Sequence, residues 1–453
     1  MEIFLTSFVQ VLFEKLLSHD LWDFAKRERI HTLLMKWSRM LEEIGAVLAD
    51  AEEKQMNDRW GVKFWLEDLE DLAFDLDDVL DEFSTEALRQ KVMEEPRART
   101  SKSVARRTCF RVEEKLEDNE GDKIITKARH SSYTRDYRDG IQKFEAFQKA
   151  KNLRSFLPFG SRYQVDSYLT HDVPLHLLPK LRRLRVLSLR GYKIAELSSS
   201  IGDLKHVRFL DLSCALIATL PESIGTLYNL QTLILRDCKN LSKLPLYTSN
   251  LINLRHLDVT GANSLQEMPP KIGKLTSLQT LSNFIVGKDI GSMINQLGNL
   301  IHLRVTLCIS GLETVTDALD AKRAKLKDKQ GLDELSLNWS YNSENSSNGS
   351  VDSEILDMLE PHKKLKVLTF SGYRGLKFPT WVGNSLFSNM VSLKFQNCNK
   401  CTSFAPLGQL PSLGTLQIAG MQALENVGLE FYGLGRSNPF PTLWRLTFED
   451  MPK

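Results

Sequence analysis

The chain has 453 residues, enough for two or three folding units, and its 42% hydrophobic content can form a sizeable core. A formal net charge of +2 gives no overall basic character that would indicate a nucleic-acid-binding protein. Six cysteines suit a reducing compartment, residues 1–5 lack the basic leader of a signal peptide, and no uncharged apolar run reaches 18 residues. These totals predict a cytoplasmic protein.

The N-terminal region shows helical periodicity in three successive segments. Residues 3–17 are mostly apolar, and apolar side chains recur at helical spacing over about 30–54 and again over about 60–83. Three amphipathic helices joined by short turns predict a helical bundle over residues 1–95. We interpret the first helix as a buried member of this bundle, with contact to a membrane surface as the alternative.

The third predicted helix carries an unusual density of acidic side chains. Residues 41–83 contain 15 acidic residues and only three basic ones. Asp71, Asp75 and Asp78 fall on one helical face, with Asp77 and Asp81 beside them, and like charges at these spacings destabilise an isolated helix by a few tenths of a kcal/mol per pair. The stripe is either a solvated face or a surface that a basic partner neutralises.

A polar, basic and helix-breaking stretch follows over residues 94–103. It predicts a linker, and we place the linker region at 96–170. The remainder of the chain, 171–453, has a different pattern.

Leucines recur in that remainder with the form Leu-x-x-Leu-x-Leu. The fourth-position residues are Leu187, Leu210, Leu233, Leu257 and Leu281, spaced by 23 or 24 residues. A fixed period in this range predicts an α/β leucine-rich-repeat solenoid, and less regular repeats continue the pattern to a total of about eleven. Because the last repeat is followed so closely by Lys453, we expect a solenoid that is truncated at its C-terminus.

Period-two alternation in each repeat strand directs the leucines inward and the intervening side chains to the concave face. On this face the early repeats carry a candidate basic patch of Arg185, Arg190, Arg208 and Arg255. Arginine forks match carboxylates, so we predict that this patch binds the acidic stripe. The alternative is a set of solvated arginines that contribute little.

The later repeats supply four candidate ligand-facing aromatic residues, which are Trp339, Tyr373, Trp381 and Trp444. Aromatic side chains are common at protein-recognition surfaces, although core packing explains them equally well.

Cys398 and Cys401 form a lone Cys-x-x-Cys pair without a second pair, so no metal site is predicted. Cys238 and Cys398 follow repeat strands, where a repeat bonds its own backbone. No catalytic constellation can be argued, so we predict that the protein is not an enzyme.

The third helix also resembles a known family. Asp77, Asp78, Val79, Leu80 and Asp81 are similar to the acidic motif in the Rx-type coiled-coil domain of plant coiled-coil nucleotide-binding leucine-rich-repeat disease resistance proteins. The return segments Leu220–Leu227 and Met268–Leu275 also resemble that family. The resemblance implies an incomplete Rx-type bundle followed by a repeat solenoid, with the acidic motif docked on basic residues of the repeats.

The family places an ATP-driven switch domain between the bundle and the repeats. Its phosphate-binding motif, Gly-x-x-x-x-Gly-Lys-Ser/Thr, does not occur in these 453 residues, and Gly273-Lys274 lies inside a repeat with Leu275 where the hydroxyl residue belongs. The stretch from about Cys109 to Pro158 resembles the segment that follows the switch domain. We therefore expect a family member from which the switch domain and its ADP/ATP site are missing.

Our leading hypothesis is a truncated intracellular immune-receptor-like protein that binds proteins through its repeats. The partners that the resemblance implies are pathogen effectors, host proteins that the receptor guards and full-length relatives. A repeat scaffold or non-functional remnant without an immune role is the alternative, and an incompletely sequenced ATP-dependent switch is the third. Peripheral contact with the plasma membrane is a further alternative to a purely cytoplasmic location.

Overall fold

The computed structural model describes residues 109–111, 128–161, 166–288, 293–340, 349–425, 427–433 and 438–451, together with Met35. The chain divides into two compact units, Met1–Val104 and Ala105–Lys453. The predicted helical bundle and the acidic motif Asp77–Asp81 lie outside the described residues. Within the described part of the chain, no helix combines the length and apolar character needed to cross a membrane.

The described residues of the second unit form a parallel-stranded solenoid with short helical return segments. The strands in chain order are β1 (Cys109–Arg111), β2 (His130–Arg135), β3 (Arg138–Asp139), β4 (Ser155–Ser161), β5 (Tyr168–Leu169), β6 (Val186–Ser188), β7 (Phe209–Asp211), β8 (Thr232–Ile234), β9 (His256–Asp258), β10 (Thr280–Leu281), β11 (Asn283–Ile285), β12 (Arg304–Ser310), β13 (Gly331–Asn338), β14 (Val367–Ser371), β15 (Ser392–Gln396), β16 (Thr415–Ala419) and β17 (Arg445–Glu449).

The return segments are mostly single 3-10 turns. These are Ile141–Lys149, Leu178–Lys180, Ser199–Asp203, Glu222–Thr226, Leu246–Asn250, Ile272–Lys274, Ile294–Asn299, Leu312–Thr314, Leu326–Asp328, Thr380–Gly383 and Leu407–Gln409, with a π-helical turn at Val173–Leu177. The α-helices are α1 (Ala318–Arg323), α2 (Gly349–Met358) and α3 (Leu429–Tyr432).

The strands form two larger parallel sheets that follow one another along the solenoid. The first has the order β1-β2-β4-β6-β7-β8-β9-β10, and the second runs from β11 to β17 in sequence order, while β3 and β5 pair separately. Ser282 links the two sheets, because its amide donates to Leu257 O at 3.2 Å and its carbonyl accepts from Cys308 N at 3.3 Å.

The register of the strands confirms the predicted leucine pattern. Leu187, Leu210, Leu233, Leu257 and Leu281 are direct partners on successive strands, and each is at most 1% exposed. In the second sheet a corresponding row joins Leu307, Leu335, Leu368, Leu393, Leu416 and Leu446. The hydrophobic core is therefore a continuous stack of inward side chains, one layer per repeat.

The first sheet begins earlier than the boundary predicted at residue 171. Strand β4 pairs with β6 so that Phe156 lies opposite Leu187, and β2 pairs with β4 so that Ser131 lies opposite Phe156. Part of the region predicted as a linker, 96–170, therefore belongs to the repeat unit. The repeat pattern continues into this region with less regular residues. Ala128 and Leu153 are buried at the first repeat position, as Leu184 is.

An aromatic cluster and a buried polar network hold this first part of the unit together. Tyr133 packs edge-on against Phe144 with ring centroids 4.9 Å apart, and Phe156 lies 4.8 Å from the Tyr133 ring. The buried carboxylate of Asp139 accepts from Lys143 Nζ at 2.7 Å and from the Tyr192 hydroxyl. Because Tyr192 follows β6, this network joins the early strands to the regular repeats.

Close stacking of the return segments explains the glycine in the Leu-Pro-x-x-Ile-Gly-x-Leu segments. A Cβ on Gly225 would lie 2.6 Å from the carbonyl oxygen of Tyr247 in the next 3-10 turn, and a Cβ on Gly273 would lie 2.8 Å from Gln296 O. Backbone atoms cannot move aside as a flexible side chain can. The glycine therefore sets the distance between neighbouring repeats.

Replacing Gly225 with alanine is expected to lower the free energy of unfolding by about 1–3 kcal/mol, the usual cost of overpacking. Urea unfolding followed by circular dichroism measures this change. Gly140→Ala is the matched control, because its nearest neighbour, Thr170 Cγ2, is 3.8 Å from the added Cβ. Equal unfolding midpoints for the two variants would show that the turns do not depend on this close approach.

Candidate functional site

In the first eight described repeats, the first position is a buried apolar residue and the second position lies at the entry to the concave strand. Their second positions form one row, namely Arg129, Arg154, Arg185, Arg208, Gln231, Arg255, Gln279 and Arg304. Each backbone amide from Arg154 onward donates to the carbonyl of the preceding member at 2.6–2.8 Å. We call the six arginines of this row the arginine ladder.

The arginine ladder contains three of the four predicted patch residues. Arg185 and Arg208 are adjacent and half-buried, whereas Arg255 is exposed and lies beyond Gln231. Neighbouring strands of a sheet lie about 4.8 Å apart, so the ladder places a cationic side chain at most steps along the solenoid. Such a row produces a positive potential that attracts carboxylates.

Arg190 is not part of this row. It follows the C-terminal end of β6, whereas Arg185 precedes the N-terminal end of the same strand. Five residues of extended chain separate them by about 16 Å. The prediction that Arg190 belongs to one patch with Arg185, Arg208 and Arg255 is therefore wrong.

The arginine ladder also contains three residues that were not in the basic patch predicted from the sequence. These are Arg129, Arg154 and Arg304. Each directly follows a buried first-position residue, as in Ala128-Arg129, Leu153-Arg154 and Leu303-Arg304. Extending the repeat frame in both directions from the regular repeats would have found all three.

Acidic residues on the same part of the concave face have partners of their own. Asp211 is buried and accepts from Ser213 N at 2.9 Å and from the Ser213 hydroxyl at 2.5 Å. Asp258 forms an ion pair with Arg236, whose Nη2 lies 2.7 Å from Asp258 Oδ2. Through these contacts, Asp211 and Asp258 bind residues that are not part of the arginine ladder.

Three of the four predicted ligand-facing aromatic residues lie in the core. Trp339, Tyr373 and Trp381 are at most 6% exposed. Trp339 packs edge-on against Tyr373 at 5.1 Å, the Tyr373 hydroxyl donates to Lys377 O at 3.0 Å, and Trp381 Nε1 donates to Leu356 O at 3.2 Å. The prediction that these three contact a ligand is therefore wrong. Trp339 and Tyr373 follow strands at points where the chain turns back into the core, and Trp381 is buried in the 3-10 turn Thr380–Gly383.

Trp444 differs from those three. It is 74% exposed and occupies the second position of its repeat, with its amide bonded to Gly414 O at 3.0 Å. The guanidinium of Arg445 lies 5.5 Å from the centroid of the indole ring. Trp444 as a ligand contact stays a prediction, and its exposure supports that prediction.

The cysteines that follow repeat strands bond to the backbone. Cys238 Sγ donates to Leu212 O at 3.2 Å and Cys398 Sγ donates to Gln396 O at 3.6 Å. Burial raises the pKa of Cys238 to about 11 and that of Cys398 to about 12, so both thiols are protonated at neutral pH. Across the described ranges, no group of three His, Cys, Asp or Glu side chains is arranged to hold a metal ion.

Comparison with known proteins defines the class of the chain. The Rx N-terminal domain family matches residues 4–116, and the R13L1/DRL21 leucine-rich-repeat family matches residues 294–421. A leucine-rich-repeat protein of Leptospira interrogans superimposes with a TM-score of 0.44 and 18% identity over 67% of this chain and 75% of that one.

Curated relatives are plant disease resistance proteins. A putative disease resistance protein of Arabidopsis thaliana is 42% identical over 78% of this chain and 25% of its own length. "Putative disease resistance RPP13-like protein 1" of Arabidopsis thaliana is 36% identical over 75% of this chain and 33% of its own length. Disease resistance protein RGA2 of Solanum bulbocastanum is 36% identical over 68% of this chain and 32% of its own length.

The two family matches and these relatives identify a coiled-coil unit followed by leucine-rich repeats. The chain belongs to the plant coiled-coil nucleotide-binding leucine-rich-repeat disease resistance family. It spans about a quarter to a third of the length of the relatives named above. The predicted loss of the switch domain, with its ADP/ATP site, stays a prediction.

Proposed function

We propose that this chain acts in plant disease resistance by recognising proteins through the concave face of its repeats, and that the arginine ladder binds acidic protein segments. The observation that carries the proposal is the ladder itself, six arginines in one row of eight consecutive second positions. The relatives are named for disease resistance, which supports the biological setting.

The acidic segment that we assign to the ladder is the motif around Asp77, Asp78 and Asp81. Helical spacing places these carboxylates on neighbouring stripes of one helix in the sequence prediction. Guanidinium forks bind carboxylates with two parallel hydrogen bonds, and a row of them can accept a row of acidic side chains. Docking would also relieve the repulsion among the aspartates.

The proposed activity is binding and not catalysis, and we assign no nucleotide to these 453 residues because their sequence lacks the phosphate-binding motif. We place the protein in the cytoplasm. Its external partners would be pathogen effectors, guarded host proteins or full-length relatives, and Trp444 is our candidate contact for such a partner.

A charge-reversal experiment tests the docking. Residues 1–104 and 105–453 are co-expressed as separate tagged polypeptides, and their association is measured by co-precipitation and by its dependence on salt. Changing Arg185 and Arg208 to glutamate is expected to weaken association by about tenfold or more, because like charges then face each other. Changing Asp77 and Asp81 to arginine in the partner should restore it.

Arg190→Glu is the control, since it makes the same kind of charge reversal beyond the C-terminal end of β6, outside the ladder. It is expected to leave association unchanged. Association that survives the double reversal, or that Arg190→Glu disrupts equally, would refute docking on the ladder. Transient expression of the intact chain in leaves, alone and with a full-length relative, then tests the role in defence through cell death and co-precipitation.

A further inference from the structure

A histidine lies beside the C-terminal part of the arginine ladder. Arg255 directly precedes His256 of β9, and Arg304 begins β12. Gln279 lies between the two arginines in the row, since its amide donates to Arg255 O at 2.7 Å and its carbonyl accepts from Arg304 N at 2.8 Å. The Arg304 guanidinium also donates to Gln279 Oε1. Arg255 and Arg304 are both exposed.

His256 is half-buried at the third position of its repeat. It lies opposite Thr232 of β8 and Thr280 of β10, and its Nδ1 is 2.9 Å from Thr280 Oγ1. Burial lowers the pKa of His256, and the positive charges of Arg304 and Arg255 lower it further. The imidazole is therefore neutral at neutral pH when no ligand is bound.

The other groups that face His256 do not offset this positive field. On β8 and β10 the neighbouring second- and third-position side chains are uncharged, namely Gln231, Thr232, Gln279 and Thr280. The carboxylate on the same strand, Asp258, is paired with Arg236 at 2.7 Å and accepts from Thr260 N at 3.0 Å. An added negative charge would therefore be the main change in the electrostatic surroundings of the imidazole.

We propose that Arg255, His256 and Arg304 form a binding site for carboxylates of an acidic protein segment, and that binding is coupled to uptake of a proton by His256. A carboxylate that bridges the two guanidinium groups places negative charge beside the imidazole and favours its protonated form. The neutral imidazole takes one proton from solvent and becomes imidazolium, while the carboxylate stays ionised. Binding therefore becomes tighter as the pH falls.

This inference rests on the proposed function, because the acidic segment that we assign to the site is the motif around Asp77–Asp81. It adds a regulatory property that the ladder alone does not have. Arginine remains charged at all physiological pH values, so arginine–carboxylate pairs give no pH dependence between pH 6 and 8. His256 supplies the pH dependence of binding in this range.

Calorimetric titration tests the coupling. A synthetic peptide of residues 70–86 is titrated into the full chain carrying Asp77→Asn, Asp78→Asn and Asp81→Asn, so that the chain's own motif does not compete. Binding is measured at pH 6.0 and 8.0 in two buffers with different ionisation enthalpies. We expect about three- to tenfold tighter binding at pH 6.0 than at pH 8.0, together with net proton uptake.

His256→Gln in the same background is expected to abolish the pH dependence and the proton uptake. The matched control is His176→Gln, which removes an exposed histidine of the π-helical turn Val173–Leu177 and should leave both properties intact. Urea unfolding midpoints verify that both variants are folded.

The outcomes separate the two ideas. Equal affinity at pH 6.0 and 8.0, or proton uptake that persists in His256→Gln, overturns proton coupling and leaves docking on the ladder standing. Absence of peptide binding at both pH values by a folded chain overturns the ladder as an acidic docking site, and the coupling with it.

Discussion

Replacing Leu233 with alanine is expected to lower the free energy of unfolding by about 2–5 kcal/mol. Leu233 is 1% exposed and lies in register between Leu210 and Leu257, so its side chain fills the core between two neighbouring layers. Deleting three carbons removes transfer free energy and leaves a cavity, because the stacked backbones on either side are fixed by ladder hydrogen bonds. Urea unfolding of the full chain, followed by circular dichroism, measures the loss.

Leu446→Ala is the matched control in the last strand. Leu446 is in register with Leu416 of β16 but is 46% exposed. The same chemical change there should cost less than about 1 kcal/mol, because little apolar surface is withdrawn from water. If Leu446→Ala destabilised the protein as much as Leu233→Ala, burial in the stack would not be what determines the contribution of these leucines.

Replacing Asp352 with alanine is expected to lower the free energy of unfolding by about 3–5 kcal/mol, the usual cost of removing one partner of a buried ion pair. Asp352 lies in α2 and is 1% exposed, and its Oδ2 accepts from Arg374 Nε at 3.0 Å. Burial raises the pKa of Asp352, and the Arg374 contact opposes that rise. The substitution removes this carboxylate from a guanidinium that is itself largely withdrawn from solvent.

Asp333→Ala provides the comparison with an exposed pair. Asp333 Oδ1 lies 2.8 Å from Lys366 Nζ, and both side chains are about half exposed. Solvent screens such a pair, so its loss should cost at most about 1 kcal/mol. Thermal and urea unfolding of both variants measure the difference, and equal destabilisation would mean that the Asp352–Arg374 contact does not anchor α2.

The regular repeats could be predicted from sequence because their inward positions are leucines at a nearly constant spacing. That spacing also predicts the register, since each fourth-position leucine must lie beside the next one to exclude water. The same reasoning predicted the row of Arg185, Arg208 and Arg255 at the strand entries.

The leucine spacing does not reveal the earliest strands, because Leu153 is the only leucine among the described inward positions of the β2 and β4 repeats. Ala128, Ser131 and Tyr133 occupy the first, fourth and sixth positions of β2 and its flank, and all three are buried. A serine at a core position gives no hydrophobic period. The surrounding aromatic side chains, including Phe144 and Phe156, supply the apolar volume that leucines provide elsewhere.

A period-two pattern also does not predict the orientation of side chains that lie beyond the ends of the strands. Alternation assigns faces only while the backbone is extended, and Trp339 and Tyr373 lie where it turns. Gly372, with a φ of +69°, permits that turn, and a Cβ there would lie 3.2 Å from the carbonyl carbon of Trp339. Arg190 was misassigned for a related reason, because nearness in sequence does not place two residues at the same end of a strand.

The register of the second sheet tolerates large differences in repeat length. Leu307, Leu335, Leu368 and Leu393 remain direct partners although the second interval, which includes α2, is longer than the other two. Added residues are absorbed between strands, without a shift of the concave face. Variation in the return segments can therefore accumulate without altering the order of binding side chains.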